Sequence, residues 1–368
     1  MKKLVIAIIC GGKSGEHEVS LRSAFYVYNN IDKKNYQRAL IAIDKKGKWY
    51  FSRSFEDIVD TRGQLWKLKS SLEEIVLLKS KNCSQVFSLQ KKRNLLGIDI
   101  FFPLIHGTYG EDGCLQGFLE LLDVPYVGAD VMGSAIGMNK EITKRLLMAE
   151  KIPVAEFIVI EKKDKLAEKK NKINQAIKKF HFPLFIKPVC LGSSVGVSKV
   201  SSRKKVNEAI QEAFQYDTKI MIEKFIKGRE VECSVLGNFN PKASLPGEIR
   251  SRSFYSYKAK YLDPEEKEAK LLAPAPLSKK LIKEIQKLSV RVFQTLKLQG
   301  MARIDFFLKP SGKLVVGEAN TIPGFTQISM YPKLWQVSGL SYSKLLDKLI
   351  QLAIKSYKEK KQLKRSYH

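Results

Sequence analysis

The hydrophobic pattern opens as strand, loop and helix. Residues 4–9 form an unbroken apolar run, as expected of a strand buried on both faces of a parallel sheet. A glycine pair follows. Leu21, Ala24, Tyr28 and Ile31 then recur at three- and four-residue spacing, which predicts one face of a helix. Residues 39–43 predict a second strand, and 99–104 a further one that runs into a glycine-rich loop at 106–113. The intervening stretch 52–95 is more charged and less regular, so it reads as an insertion or an elaborated edge. Alternating strands and helices predict an α/β first domain.

The same reading continues downstream. It predicts a helix through 140–147, a strand at 184–187, a glycine-serine loop, a strand at 195–200, a helix near 206–214 and a strand at 220–224. The lysine-rich 161–172 reads as a solvated connection with some helix. A strand at 231–236 opens the last unit. It is followed by a helix over 279–298, with Leu281, Ile285, Leu288, Val292 and Leu296 on one face. The expected division is an α/β domain at 1–128 (with the irregular 50–95), a central unit at 129–226, a C-terminal unit at 227–357, and a charged, frayed tail at 358–368.

Composition narrows the class. A chain of 368 residues with 44% hydrophobic residues carries enough apolar material for two or three packed units and excludes wholesale disorder. The net charge of +28 raises the question of nucleic acid. The basic residues are scattered along the chain, however, and no RNP-like run, zinc finger or basic heptad accompanies them. A solvated lysine-rich surface is the expected reading, with no nucleic-acid partner. Five cysteines, Cys10, Cys83, Cys114, Cys190 and Cys233, are odd in number and contain no CxxC pair, which suits reduced thiols in a cytoplasm. The opening Met1-Lys2-Lys3 with its short apolar run looks superficially like a leader. The run is brief, and charged residues follow at once, so a first buried strand is the expectation. No stretch has the length of a membrane span.

The chemistry begins with 303–320, which reads RIDFFLKPSGKLVVGEAN. Two apolar runs flank a Pro-Ser-Gly turn signal, predicting a hairpin. With Ser311-Gly312 as a two-residue loop, Asp305 lies opposite Glu318 and Arg303 opposite Asn320, all on one face. Ile304, Phe306 and Leu308 then face Ala319, Gly317 and Val315. Two carboxylates directly across a ladder repel each other unless a cation lies between them, and Asp, Glu and Asn oxygens suit Mg²⁺. From the hairpin alone, a metal face and an exposed ion-pair cluster both fit.

Four other segments carry weaker signals. In LFIKPVCLGSSVGV a strand delivers Lys187 to a glycine-serine loop, which is either a phosphate cover or an ordinary turn, and it is not a Walker A motif. In MIEKFIKGRE, Glu223, Phe225, Ile226 and Glu230 make either an adenosine pocket or a solvated strand end. Residues 11–20 place Glu16 and Glu18 at a helix start, and His106 and Glu111 lie in a loop after a strand, where α/β proteins bind ligands.

Taken in order, the GGxSxEHxVS opening, the HGxxGEDG loop, GSSVG, YKAKY at 257–261, RID and EANTIPG resemble the D-alanine–D-alanine ligase family of the ATP-grasp superfamily. The resemblance covers residues 4–350 and is poorest at 50–95. It implies three α/β domains with ATP between the central and C-terminal ones. It also implies ligation of two D-alanines through a D-alanyl phosphate for peptidoglycan synthesis. Carried over by motif, Lys140, Lys187, Ser194 and Lys260 contact the ATP phosphates, and Glu223, Phe225, Ile226 and Glu230 hold adenine and ribose. Asp305, Glu318 and Asn320 ligate two Mg²⁺ or Mn²⁺ ions. Glu16 binds the first alanine's ammonium within a network with Ser193 and Tyr261, Arg303 stabilises the tetrahedral oxyanion, and Ser329 and Met330 seat the second alanine. His106 and Glu111 belong to the support around them. A cytoplasmic homodimer is a further implication.

The sequence departs from the family pattern at Ser256, where Asp commonly stands, at Met330, where many relatives have Leu, and at Cys190, often Asn. The Lys260-Tyr261 pair implies an amine acceptor rather than the hydroxyl of D-lactate. D-serine stays open as an alternative acceptor, as does another ATP-grasp amino-acid ligase.

Overall fold

Residues 3–62, 66–81, 83–192, 195–250 and 270–364 are described by a computed structural model. The N-terminal sheet has the strand order Trp49–Ser52, Tyr36–Ile43, Leu4–Gly11, Ile100–Pro103. Two of its three pairings are parallel, and the one at the Trp49–Ser52 edge is antiparallel. The continuous apolar runs follow from burial on both faces. Ile6, Ile8 and Leu40 face one core with the helix His17–Asn30, whereas Val5, Ala7, Ile9 and Ile41 face another. Leu21, Ala24, Tyr28 and Ile31 are all buried, as their spacing predicts.

The described residues between 50 and 98 hold regular structure. They form a short helix, Phe55–Ile58, a two-stranded pair, and a three-stranded antiparallel sheet of Ile75–Lys79, Ser84–Ser88 and Arg93–Ile98. Ile75, Leu77 and Val86 share a core with the N-terminal sheet, while Val76 and Leu78 between them are apolar yet exposed, so the inside-outside alternation does not show in the sequence.

A second sheet is antiparallel, ordered Phe157–Glu161, Lys219–Lys224, Leu184–Pro188, Ser198–Val200. The helices Leu166–Phe180 and Val206–Ala213 share its core. Leu166–Phe180 is a regular fifteen-residue helix that buries Ala176 and Phe180, so the lysine-rich stretch is the first turns of a solvent-facing helix rather than mostly connection.

The third sheet runs Lys270–Leu272, Gly247–Arg250, Arg229–Gly237, Gly300–Leu308, Leu314–Asn320, with Lys242–Ala243 also paired to Arg229–Gly237. Helix Lys279–Thr295 covers its apolar face through Ile285, Val292 and Phe293. Leu147 of the helix Lys140–Ala149 packs into this same core.

The tail differs from the expectation of fraying. Helix Tyr342–Lys361 continues to its charged end because that end is held. Tyr357 Oη donates to the Asp123 carbonyl at 2.7 Å, Lys360 meets Glu120 at 2.6 Å and Lys361 meets Asp123 at 2.6 Å. Upstream, Tyr36 donates to Asp347 at 2.5 Å, and Leu345, Leu346, Leu349 and Ile350 enter the N-terminal core. No helix among the described residues is long and apolar enough to cross a membrane.

Candidate active site

The hairpin forms, with one change of detail. Arg303 pairs with Asn320, Ile304 with Ala319 and Asp305 with Glu318, as the alternation predicts. The turn is a three-residue loop, because Lys309 N–H donates to Lys313 O at 3.0 Å and Gly312 N–H to Lys309 O at 2.9 Å. That moves the outer register, so Phe306 faces Val316 and Leu308 faces Leu314. A bulge at Gly317 takes up the offset before the polar face begins. A side chain there would bring its Cβ to 3.3 Å from the Asp305 carbonyl oxygen, so glycine fits the bulge.

On this face Arg303 grips Asp305 with two bonds of 2.7 Å from Nε and Nη2. Asn320 Nδ2 donates to the same carboxylate at 2.9 Å, and Glu232 lies 3.1 Å from Arg303 Nε. Burial works against the guanidinium's charge, but Asp305 and Glu232 outweigh it and hold its pKa well above the ordinary arginine value. Glu232 was not singled out in the sequence. It sits on Arg229–Gly237 directly opposite Asp305, and extending the period-2 alternation through REVECSV would have found it.

The N-terminal loops meet the same region. Glu16 occupies the N-cap position of His17–Asn30, without a side-chain capping bond, and is nearly buried. Its Oε2 lies so close to two glycines that a Cβ at Gly107 would fall 3.1 Å from it and one at Gly192 3.2 Å from it. The carboxylate thus stands where the first strand's loop, the His106 loop and the glycine-serine loop converge. Ser14 supports it by donating to the His106 carbonyl at 2.6 Å while accepting from Glu16 N–H at 3.1 Å.

His106 and Glu111 tie this cluster to the segment after the hairpin. His106 Nδ1 lies 2.9 Å from Ile322 O, and a carbonyl only accepts, so Nδ1 carries a proton. Burial lowers the imidazole pKa, so the ring is neutral and Nε2 accepts from Ser23 Oγ at 3.0 Å. Ser23 Oγ in turn accepts from Phe325 N–H at 3.3 Å. Glu111 accepts from Gly107 N–H at 2.8 Å and from Ile322 N–H at 2.9 Å. Burial, reinforced by the Glu16 and Glu318 charges, pushes Glu111 up to about 7 against those two amide bonds.

A raised carboxyl binds its proton more tightly in the folded than in the unfolded chain. Its contribution to stability is therefore complete below pH 4.5 and fades as pH rises through about 7. Thermal unfolding of the metal-free protein and of Glu111→Ala at pH 5, 6, 7 and 8 checks this. The wild-type advantage should shrink steadily with pH, and a constant gap would show that Glu111 does not titrate in that window.

On the other side of the cleft, Lys140 opens a helix capped by the Asn139 side chain, and its ammonium donates to the Leu191 carbonyl of the glycine-serine loop. Glu223, at the end of Lys219–Lys224, is buried and takes Lys144 on Oε1 at 2.5 Å and Lys187 on Oε2. Burial pushes this carboxyl up, yet the two ammoniums prevail and hold it at about 2. Burial lowers the pKa of Lys140 and of Lys144. Lys144 was also missed in the sequence; its signal is the four-residue spacing from Lys140 in KEITK, which puts both on one helix face.

Phe225 and Ile226 are half-buried beyond Glu223. Phe225 packs against Phe185 with ring centroids 6.0 Å apart and under the Lys199 ammonium at 4.5 Å. Glu230 is half-buried opposite Phe307. Ser329 Oγ accepts from Thr326 N–H at 3.0 Å at the start of Met330–Val337. The Met330 side chain is buried and lies beside Gly247 at the start of the same helix. Ser193, Ser194, Lys260 and Tyr261, and with them Ser256, lie outside the described residues.

Among the described residues no three or more His, Cys, Asp and Glu side chains converge as a metal cluster. The hairpin offers two carboxylates and one carboxamide. This all-oxygen set fits a hard divalent ion whose remaining positions are filled by phosphate oxygens and water.

The family model for the D-ala D-ala ligase N-terminus matches residues 5–129, and that for the C-terminus matches residues 146–351. A D-alanine–D-alanine ligase of Thermoanaerobacter sp. (strain X514) is 46% identical over 362 residues, spanning 98% of this chain and 99% of the relative. D-alanine–D-alanine ligase A of Escherichia coli (strain K12) is 43% identical over 363 residues, spanning 97% of each. Among solved structures, the D-alanine-D-alanine ligase from Coxiella burnetii superimposes with a TM-score of 0.83 at 39% identity, over 98% of this chain and 97% of that one. The VanG D-Ala:D-Ser ligase from Enterococcus faecalis gives 0.81 at 34%, over 96% and 100%.

The fold is that of a multi-domain ATP-grasp enzyme, an ADP-forming ligase. The chain belongs to the D-alanine–D-alanine ligase family.

Proposed function

We propose that this protein joins two D-alanines into D-alanyl-D-alanine for peptidoglycan synthesis, using ATP and passing through D-alanyl phosphate. The observation that carries this reading is the convergence of the parts on two loops. Glu16 lies against Gly192 and Lys140 donates to Leu191 of the same glycine-serine loop, while Glu111 ties the His106 loop to Ile322 just beyond the acidic hairpin. An amine-binding carboxylate, an acidic hairpin face and a lysine-lined nucleotide pocket are thereby contiguous, as a reaction between an amino acid and ATP requires.

In this reading Glu223 accepts from the adenine amino group, Glu230 from the ribose, and Phe225 and Ile226 flank the base. Lys140 and Lys187 neutralise the phosphates, with Ser194 and Lys260 closing over them. Asp305, Glu318 and Asn320 hold two Mg²⁺ or Mn²⁺ ions, which neutralise charge on the transferring phosphoryl group when bound. Glu16 holds the first D-alanine's ammonium, with Ser193 and Tyr261 completing its network, so its carboxylate faces the γ-phosphate. The second D-alanine is seated by Ser329 and the Met330 amide. Its amine attacks the acyl carbon and phosphate leaves, while Arg303 balances the oxyanion. His106 and Glu111 fix the loops that carry these groups. Functional units at 1–128, 129–226 and 227–357, in a cytoplasmic homodimer, go with this reading.

Product analysis with D-alanine, D-serine and D-lactate competing as acceptors tests it. D-alanyl-D-alanine should dominate, with ADP release dependent on D-alanine and Mg²⁺. Dominant D-alanyl-D-serine would assign the acceptor to serine instead, and turnover with L-alanine but not D-alanine would overturn the reading.

A further inference from the structure

Glu223 has two cationic partners, and they are not equivalent. Lys187 comes from the neighbouring strand of its own sheet and keeps 15% of its side-chain surface exposed. Lys144 keeps 2%. It comes from the helix Lys140–Ala149, whose Leu147 is anchored in the core of the other sheet. Its ammonium lies 2.5 Å from Glu223 Oε1, with the Phe157 ring 6.0 Å away. Lys187 can turn toward a triphosphate, whereas Lys144 is buried and, among the described residues, has Glu223 as its anionic partner.

We infer that Lys144 is the permanent counter-ion of Glu223, a positioning residue that orients this carboxylate toward the nucleobase and leaves Lys187 free for the phosphates. The inference rests on the proposed ATP site. A buried carboxylate with one mobile partner would either keep that partner or lose its orientation once the partner leaves. With Lys144 fixed on Oε1, Glu223 remains ionised and aimed whichever way Lys187 points. A fixed carboxylate accepts from the amino group of adenine and opposes the carbonyl oxygen that hypoxanthine carries at the same place, so Lys144 contributes to base selection without touching the base. The pair also ties the helix packed on one sheet to a strand of the other.

The test uses the full chain. Lys144→Met, which keeps the stem and removes the charge, should raise the KM for ATP about tenfold or more. The KM for D-alanine should stay within about twofold, kcat should fall less than the KM rises, and the preference for ATP over ITP should drop at least about fivefold. A purely structural lysine would lower the unfolding temperature and activity while leaving the ATP-to-ITP ratio as it was, and that result overturns the inference. Should Lys144→Met fail to fold, Lys144→Met/Glu223→Gln carries a neutral pair in its place. Compared with Glu223→Gln, it should show no further loss of base preference, and an additional tenfold loss would mean that Lys144 acts independently of Glu223. Absence of D-alanine-dependent turnover in the unaltered protein would instead defeat the functional reading, so the two failures are distinguishable.

Discussion

Arg303→Met is expected to lower kcat by about a hundred- to a thousandfold, with little change in the KM for ATP. The guanidinium is already held before any substrate arrives. Asp305 takes its Nε and Nη2 at 2.7 Å each, Glu232 lies at 3.1 Å, and the strand pair Gly300–Leu308 and Leu314–Asn320 fixes the backbone beneath. A charge held this way stabilises a developing oxyanion without reorganising at the moment of reaction. Lysine is a poor substitute, because the Asp305 grip uses the planar fork. Steady-state kinetics with kcat and KM resolved check this, alongside a thermal unfolding curve. A variant that folds and retains kcat within about twofold would remove Arg303 from the oxyanion role.

Glu318→Ala should abolish metal-dependent turnover by about a thousandfold while the protein stays folded. Asp305 and Glu318 face each other directly across the ladder, and like charges so placed repel. Removing one should therefore leave the metal-free protein as stable as the parent or slightly more so, while Mn²⁺ affinity in the presence of nucleotide falls. Titration of Mn²⁺ by electron paramagnetic resonance, with turnover measured against Mg²⁺ concentration, reads both effects. Unchanged kinetics in a folded variant would take Glu318 out of the metal site. A strongly destabilised variant would mean that the carboxylate serves the fold instead.

These two residues were legible because their signal is local. Alternation along two short strands and a Pro-Ser-Gly turn were sufficient to set Asp305 against Glu318. The register survived a wrong turn length, since the three-residue loop and the Gly317 bulge shift it in opposite senses. Glu223 and Lys187 were legible as candidates. Their bond to each other was not, because it joins adjacent strands whose pairing depends on the sheet order. Lys144 and Glu232 went unnoticed for a related reason. Each looks like a surface charge in the sequence, and only the packing of a helix or a third strand over it shows burial.

By itself the sequence determined the main strands and helices, the pairing of Asp305 with Glu318, the family and the order of the loops, since all of these are written in spacing and short motifs. Tertiary structure decided what closes on what. The helix at 342–361 completes the core of the first domain and is pinned to Glu120 and Asp123, although its charged end reads as a loose tail. His106 and Ser23 meet Ile322 and Phe325 from opposite ends of the chain, and Glu111 bridges Gly107 to Ile322 at a pKa that only burial beside other carboxylates produces. Periodicity reports which side of an element is apolar. The identity of the surface that covers it, and hence the dielectric around each charge, arises only when distant segments pack.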